Sequence, residues 1–530
     1  MFKEIFLGKE KIFTPNIILF HAVMIFMSFA FVYIFSYSTS FRYSLLGGDS
    51  AVFQVVGKYW LEGVLPYKEI FDHKGSILYV INALGYAIYP RSGIMVPQII
   101  FLYLTCLFIW RAMELYSSGK GKIFFLIFAL IYYAAHYEEG NHVSEYSNLF
   151  SAAAAYCFLR SLKENNFPPL YGFVYGVSFG ACLLIKLSDA AQICCQVFLI
   201  AIFLIQDHEF KVLIKNILNF CAGFVIIVLP FVIYFAAYDA LYDLFYGTIL
   251  FNLKYTNANA HELFIYRVIH SAYHFLPLFI MIVVALFDLK QKPTSRLLQS
   301  GLFIGTMMLF MLEIIPLHGN YSMIIFPLTP IIFAVLVESF GELKKIWNGR
   351  GLSLKRILIK VLAMITIFHV CISVAYIKAF CLNEELKLFV SFSIEYKVSE
   401  SLNVNERQNI LTLQDIIPKD ERNSFVVWSN FCTSSHWLLR TDMKPRERLF
   451  MNNAQLANAD PALRKEWFDN LRKDYPLWIL YGFDLERKTE KPPEQRTDDA
   501  ELEKLLEEKY SLKGETYIFP QIMKLYRLKD

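Results

Sequence analysis

The sequence predicts an α-helical polytopic membrane protein of about eleven transmembrane helices, followed by a small extracytoplasmic α/β domain. Three observations carry this. The 530 residues are 56% hydrophobic and 17% aromatic, with a mean hydropathy of +0.40, more apolar surface than a soluble core can bury. Apolar runs of roughly 17 to 25 residues, each able to cross about 30 Å of hydrocarbon, recur as far as residue 380. Charge is also segregated: 49 of the 98 Lys, Arg, Asp and Glu side chains fall in the 147 residues after Asn383. The expected division is therefore a membrane domain over 1–383 and a polar domain over 384–530. A net charge of only +4, spread along the chain, gives no concentrated basic face and excludes nucleic acid as a partner.

The expected spans are 17–37, 94–115, 121–137, 146–162, 169–186, 188–206, 212–236, 263–287, 297–316, 322–340 and 357–380. The stretch Ser76 to Pro90 is apolar but too short to cross, and it holds Asn82 and Gly85, so it is expected at the interface or re-entrant. Lys and Arg concentrate in alternate short loops: Lys120 and Lys122; Lys211 and Lys215; Lys290, Lys292 and Arg296; then Lys344, Lys345, Arg350, Lys355 and Arg356. The intervening loops at 138–145 and 317–321 have none, which places the N-terminus in the cytoplasm and the C-terminal domain outside. Lys3, Lys9 and Lys11 precede the first apolar run, but no small-residue cleavage site follows, so that run is an uncleaved span of a cytoplasmic (inner) membrane protein. Seven of the nine cysteines lie in apolar runs and imply no disulfide framework.

The outer loops gather the side chains able to do chemistry. In the first, Gly47-Gly48-Asp49-Ser50 opens an amphipathic stretch (Val52, Phe53, Val55, Val56, Tyr59, Trp60) suited to a helix on the bilayer surface. Asp49 is there either a cap or an acid held near the membrane surface by the helix dipole. Asp72, His73 and Lys74 follow, where a cation meets a lipid phosphate or merely anchors the interface. The second outer loop, His136 to Tyr146, holds Glu138, Glu139, His142 and Glu145 beside Asn141, and carboxylates this close to hydrocarbon need pairing, hydration or a metal. Its spacing fits no zinc set. Later outer segments add Tyr255, Asn257, His261 and Arg267, then Glu313, His318, Asn320 and Tyr321.

In this order the pieces resemble the GT-C superfamily of polyprenol-phosphate-sugar-dependent glycosyltransferases, relatives of the protein O-mannosyltransferases and lipid A aminoarabinose transferases. The likeness rests on Gly47-Gly48-Asp49-Ser50, Leu61 to Tyr67, Phe71-Asp72-His73-Lys74-Gly75, Glu139-Gly140-Asn141 to Glu145-Tyr146, and His318-Gly319-Asn320-Tyr321 before Phe326-Pro327. Two positions depart from it: Asp49 is followed by Ser50 where many members have a second acid, and Gly75-Ser76 stands where prolines are frequent.

The resemblance implies an integral membrane glycosyltransferase that inverts configuration. It would move a sugar from a polyprenyl-phosphate carrier to an envelope glycan, lipid or protein acceptor on the outer face. Asp49 is the implied general base, with Glu139 and Glu145 as further catalytic carboxylates. His73, Lys74 and Arg267 would hold the lipid phosphate. Tyr67, Asn141, His142, His261, His318, Asn320 and Tyr321 would contact substrate. No cofactor is expected, and no metal is assigned, though a divalent ion is compatible with the family. Membrane lipid is the remaining expected partner. The competing classes are an envelope glycan polymerase or ligase, which would carry its large polar loop between late spans, and a transporter or flippase of lipid-linked sugars, which would put ionisable groups at the bilayer midplane.

In the C-terminal region, 424–429 and 476–481 read as buried strands, 462–472 and 499–509 as helices, and two short strands follow near Tyr517 and Met523. No Gly-rich phosphate loop occurs there, so this domain is expected to bind acceptor or to serve a structural role.

Overall fold

A computed structural model describes residues 2–7, 14–43, 45–258, 274–314, 319–347, 407–429, 431–450, 456, 459–484, 499–518 and 521–530. The chain is mostly helical. In order come α1 (Phe2–Leu7), α2 (Pro15–Phe35), α3 (Asp49–Leu61), α4 (Ser76–Ile88), α5 (Met95–Glu114), α6 (Gly121–Ala135), α7 (Val143–Glu164) and α8 (Pro169–Leu183). There follow α9 (Ala191–Gln206), α10 (Phe210–Ala237), α11 (Leu241–Phe245), α12 (Phe251–Ala258), α13 (Leu276–Leu289), α14 (Arg296–Ile314) and α15 (Thr329–Trp347).

Five helical stretches among the described residues are long and apolar enough to cross a membrane: Pro15–Phe35, Ser92–Glu114, Leu187–Gln206, Phe210–Ala237 and Tyr321–Ser339. Shorter apolar helices, including α6, α8 and α13, account for other expected spans but fall below crossing length by themselves. The chain is thus membrane-embedded, with five helices of crossing length among the described residues. The expected span at 357–380 and the start of that at 263–287 lie outside the described residues. α7 is long enough, at 22 residues, but it is built from Ser, Ala, Tyr and Asn and is buried along most of its length. It serves as the central post against which α5 and α8 pack.

The short apolar stretch after Gly75 is the 13-residue helix α4, as its length predicts. The amphipathic stretch after Asp49 is helix α3, but its apolar face does not lie open to lipid. Val52, Val55, Val56 and Tyr59 are buried. They pack on α4 and on α16 (Phe431–Arg440) from the C-terminal region.

That region adds β1 (Phe425–Trp428), α17 (Pro461–Lys473), β2 (Trp478–Asp484), α18 (Ala500–Lys509), β3 (Tyr510–Ile518) and β4 (Gln521–Leu528). The four strands form one sheet in the order β1-β2-β4-β3. β1 and β2 are parallel, with Phe425 opposite Trp478, and a parallel pair needs a crossover that α16 and α17 provide. β3 and β4 form an antiparallel hairpin, and β4 closes on β2. Asp460 caps α17 through Ala462 N–H and Asp499 caps α18 through Glu501 and Leu502 N–H, which fixes where both helices begin. The sheet's core is continuous with that of α3 and α4: Trp437, Phe450 and Trp478 belong to the same buried cluster as Val56, Tyr67 and Tyr79.

Candidate functional site at the start of helix α3

The first N–H groups of a helix have no partner inside it, and the cap of α3 is Gly48, which has no side chain to supply one. Glu139, from the loop between α6 and α7, supplies it instead. Its carboxyl accepts Gly48 N–H at 2.5 Å and Ser50 N–H at 2.8 Å. Gly47 must be glycine here, since its φ is +75° and a Cβ would come 2.7 Å from Glu139 Oε2. Burial and the charge of Asp49 push the Glu139 carboxyl up to about 8, against the two N–H groups that favour its ionised form.

Asp49 is therefore not the cap. It is the first helical residue, half-buried, and its side chain makes no hydrogen bond or ion pair among the described residues. Its charge is felt by His73, His142 and Tyr321. The dipole of α3 favours a negative group at this position.

The segment before α4 builds a chain of contacts that ends on Lys74. Tyr79 Oη–H donates to Asp72 Oδ2 at 2.6 Å, and Asp72 Oδ1 lies 3.2 Å from His73 Nδ1. His73 Nε2 is 2.7 Å from Lys74 Nζ. An ammonium can only donate, so Nε2 accepts, and the proton of the neutral ring sits on Nδ1 toward Asp72. Burial, then the charge of Lys74, hold His73 below its ordinary range, which keeps the ring neutral as this pattern requires. Asp72 is held low despite full burial, because His73, Lys74 and the Tyr79 hydroxyl outweigh desolvation. Tyr67 fixes the same segment from below, donating its hydroxyl to Lys74 O at 2.7 Å. Asn252 Nδ2–H donates to His73 O at 2.8 Å. Lys74 has no carboxylate within ion-pair distance among the described residues, so two of its three N–H bonds are available to an anion.

Gly75 brings this segment against the turn between α8 and α9. Its N–H donates to Ile185 O at 3.0 Å, and a Cβ there would lie 2.0 Å from Leu184 C, so no other residue permits this approach. The turn carries Lys186 and Asp189. Lys186 Nζ is 3.7 Å from Asp189 Oδ1 and lies over the Tyr321 ring, 3.9 Å from its centroid. Ser147 on α7 donates to Asp189 at 2.6 Å.

His142 closes the site at the N-terminus of α7. It is 3% exposed, and among the described residues its Nε2 has no hydrogen-bond partner, the nearest carboxylate being Glu138 at 3.8 Å. Burial pushes it down to about 4 against the pull of Asp49, and the Lys186 and Lys74 charges push the same way as burial.

Several expected site residues do internal work instead. Asn141 donates to Ser50 Oγ at 3.0 Å and to Asn82 Oδ1 at 2.8 Å, and accepts from Tyr146 at 2.6 Å. The oxygens of Glu145 take the Tyr137 hydroxyl at 2.5 Å, Gln98 Nε2–H at 2.8 Å and His142 N–H at 2.7 Å. Tyr67 is fully buried. These three shape the loops rather than presenting free polar atoms to a substrate. His261, Arg267 and His318 lie outside the described residues, and Asn320 is placed only by its backbone, in the turn Gly319–Leu328. Among the described residues, no group of three His, Cys, Asp or Glu side chains has the geometry to hold a metal ion.

Sequence reasoning passes over Lys186 and Asp189, because hydropathy reads the segment from 169 to 206 as two spans joined at residue 187. A Lys and an Asp three apart at that junction were the available signal. No family model, curated protein or solved structure matches the chain.

Proposed function

We propose that the protein is a membrane glycosyltransferase that takes its sugar from a polyprenyl-phosphate carrier on the outer face of the cytoplasmic membrane. The observation that carries this reading is that a carboxylate unengaged among the described residues, Asp49, and an ammonium with no carboxylate partner among them, Lys74, both act electrostatically on the same buried imidazole, His142. Asp49 takes the proton of an acceptor hydroxyl as its oxygen attacks the anomeric carbon. The bond from that carbon to the phosphate oxygen breaks, its electron pair passes to the phosphate, and the Lys74 ammonium stabilises the charge that develops. His142 Nε2 is placed to hydrogen-bond a sugar hydroxyl or phosphate oxygen. The alternation of Lys and Arg between loops supports the outward placement of this site, where nucleotide sugars are absent.

The test is a mass-spectrometric comparison of envelope glycans from cells carrying the wild-type chain or Asp49→Asn, together with binding of undecaprenyl phosphate to wild type and Lys74→Ala in detergent micelles. Loss of one glycan with Asp49→Asn and weakened lipid binding with Lys74→Ala are expected. Unchanged glycans, or sugar transfer from a nucleotide donor without lipid, would overturn the reading.

A further inference from the structure

The loop that carries Asp49 is gripped from two sides, and one grip comes from the other end of the chain. Glu139 holds Gly48 and Ser50 by their N–H groups. On the opposite side, His436 Nε2 lies 2.6 Å from the Gly47 carbonyl oxygen, 389 positions away in sequence. A carbonyl only accepts, so the imidazole donates from Nε2. Gly47 has no Cβ and a left-handed φ, so its conformation is fixed by these contacts rather than by its own side chain. Asp49 is two residues further on, and the direction in which its carboxylate leaves the helix follows from how residues 47 and 48 are held.

His436 is not what docks α16. Lys58 Nζ donates to Leu438 O at 2.9 Å, Tyr59 Oη–H donates to Met443 O, and Trp437 is fully buried in the shared core. The anchors on α3, Lys58 and Tyr59, sit between two and three turns along the helix from Asp49 and remain, like Trp437, when the imidazole is removed.

We propose that His436 is a positioning residue for Asp49, which makes the C-terminal region a working part of the membrane site and not only an appendage. The catalytic half of this statement rests on the reading of Asp49 as general base. The positioning half does not.

The experiment is hydrogen–deuterium exchange on the full chain in detergent micelles, comparing wild type, His436→Ala and His436→Gln. In His436→Ala the amides of residues 46–51 should exchange about tenfold faster, the equilibrium equivalent of one hydrogen bond, while residues 55–60 keep wild-type protection. His436→Gln, whose amide is also a donor, should restore protection at 46–51. Unchanged exchange at 46–51 overturns the proposal. So does faster exchange over both segments that glutamine fails to restore, because that is undocking of α16. Envelope-glycan profiles of the same variants separate the two halves. Faster exchange at 46–51 with an unchanged glycan profile leaves the positioning standing and overturns the role given to Asp49.

Discussion

Glu139 and Asp49 divide between them two tasks that one acid at a helix start usually combines. Glu139 reaches from 89 residues away to accept Ser50 N–H at 2.8 Å, so the cap of α3 is supplied from another loop. Asp49, released from capping, keeps its oxygens for something else.

Asp49→Asn should lower sugar transfer by roughly 10²- to 10⁴-fold, the range of general-base assistance. Binding of undecaprenyl phosphate and the unfolding temperature should stay near wild type, since the Asp49 side chain holds nothing else in place among the described residues. A turnover assay beside lipid binding checks this, and near-normal turnover would move the base elsewhere.

Glu139 gives stability a definite pH dependence. Its folded-state value, about 8, lies above the unfolded carboxyl value of about 4.5, so its contribution is complete below the lower value and is lost as pH rises through the higher. His142 has the opposite sign: depressed to about 4 from 6.5, it contributes above pH 6.5 and loses that contribution as pH falls toward 4. Thermal unfolding in micelles between pH 5 and about 9 should show a decline on the alkaline side that Glu139→Gln flattens. An unchanged alkaline limb in that variant would mean the carboxyl is not the group responsible.

Asp72 holds His73, and His73 holds Lys74. Asp72→Asn removes the negative partner of Nδ1–H and allows the ring to present the wrong nitrogen to the ammonium. Undecaprenyl phosphate affinity should fall about tenfold, the cost of misplacing one charge-assisted contact. Tyr79→Phe, which removes one neutral donor to Asp72, should cost only a few-fold. Isothermal titration of the three proteins would rank them, and the order should be wild type, Tyr79→Phe, Asp72→Asn.

The seam between the two regions offers a contrast between partly buried and exposed ions. Arg448 donates to Tyr67 O at 2.7 Å and pairs with Asp243 at 3.2 Å and Glu466 at 3.1 Å, its side chain 19% exposed. Lys254 pairs with Asp460 at 2.5 Å with nearly half of its side chain in solvent. Arg448→Ala should destabilise by about 1 to 3 kcal/mol through the carbonyl and carboxylates it orphans, and Lys254→Ala by less than about 1 kcal/mol. Unfolding temperatures of the two variants decide it, and equal losses would contradict the burial argument.

Much of the membrane architecture was legible because hydropathy reports burial in lipid directly: the runs at 17–37, 94–115 and 212–236 become α2, the stretch Ser92–Glu114 and α10. Strands β1 and β2 were readable as short apolar runs bounded by polar residues. The face of α3 was not, because an amphipathic stripe has the same pattern whether it meets lipid headgroups or another helix. At the site, Asp49, His73, Lys74 and His142 announced themselves by residue type in polar loops between apolar runs. Which acid caps and which stays open could not be read, since Glu139 and Asn141 act through contacts 89 and 91 residues away. His436 gave no local signal at all, because its partner is a backbone carbonyl at the far end of the sequence.

That long reach has a consequence for how the molecule is made. The amides of the Asp49 loop can meet Glu139 early, but Gly47 O and the Tyr59 hydroxyl wait for His436 and Met443, 389 and 384 residues later. At translation rates of 5–20 residues per second, the interval is roughly 20 to 80 s. During that time the face of Val52, Val55, Val56 and Tyr59 has no C-terminal cover, so the nascent chain must shelter it in the membrane interface or against a chaperone. Production of this protein is therefore expected to be sensitive to delays in folding its last hundred or so residues onto α3, even though every expected crossing precedes them.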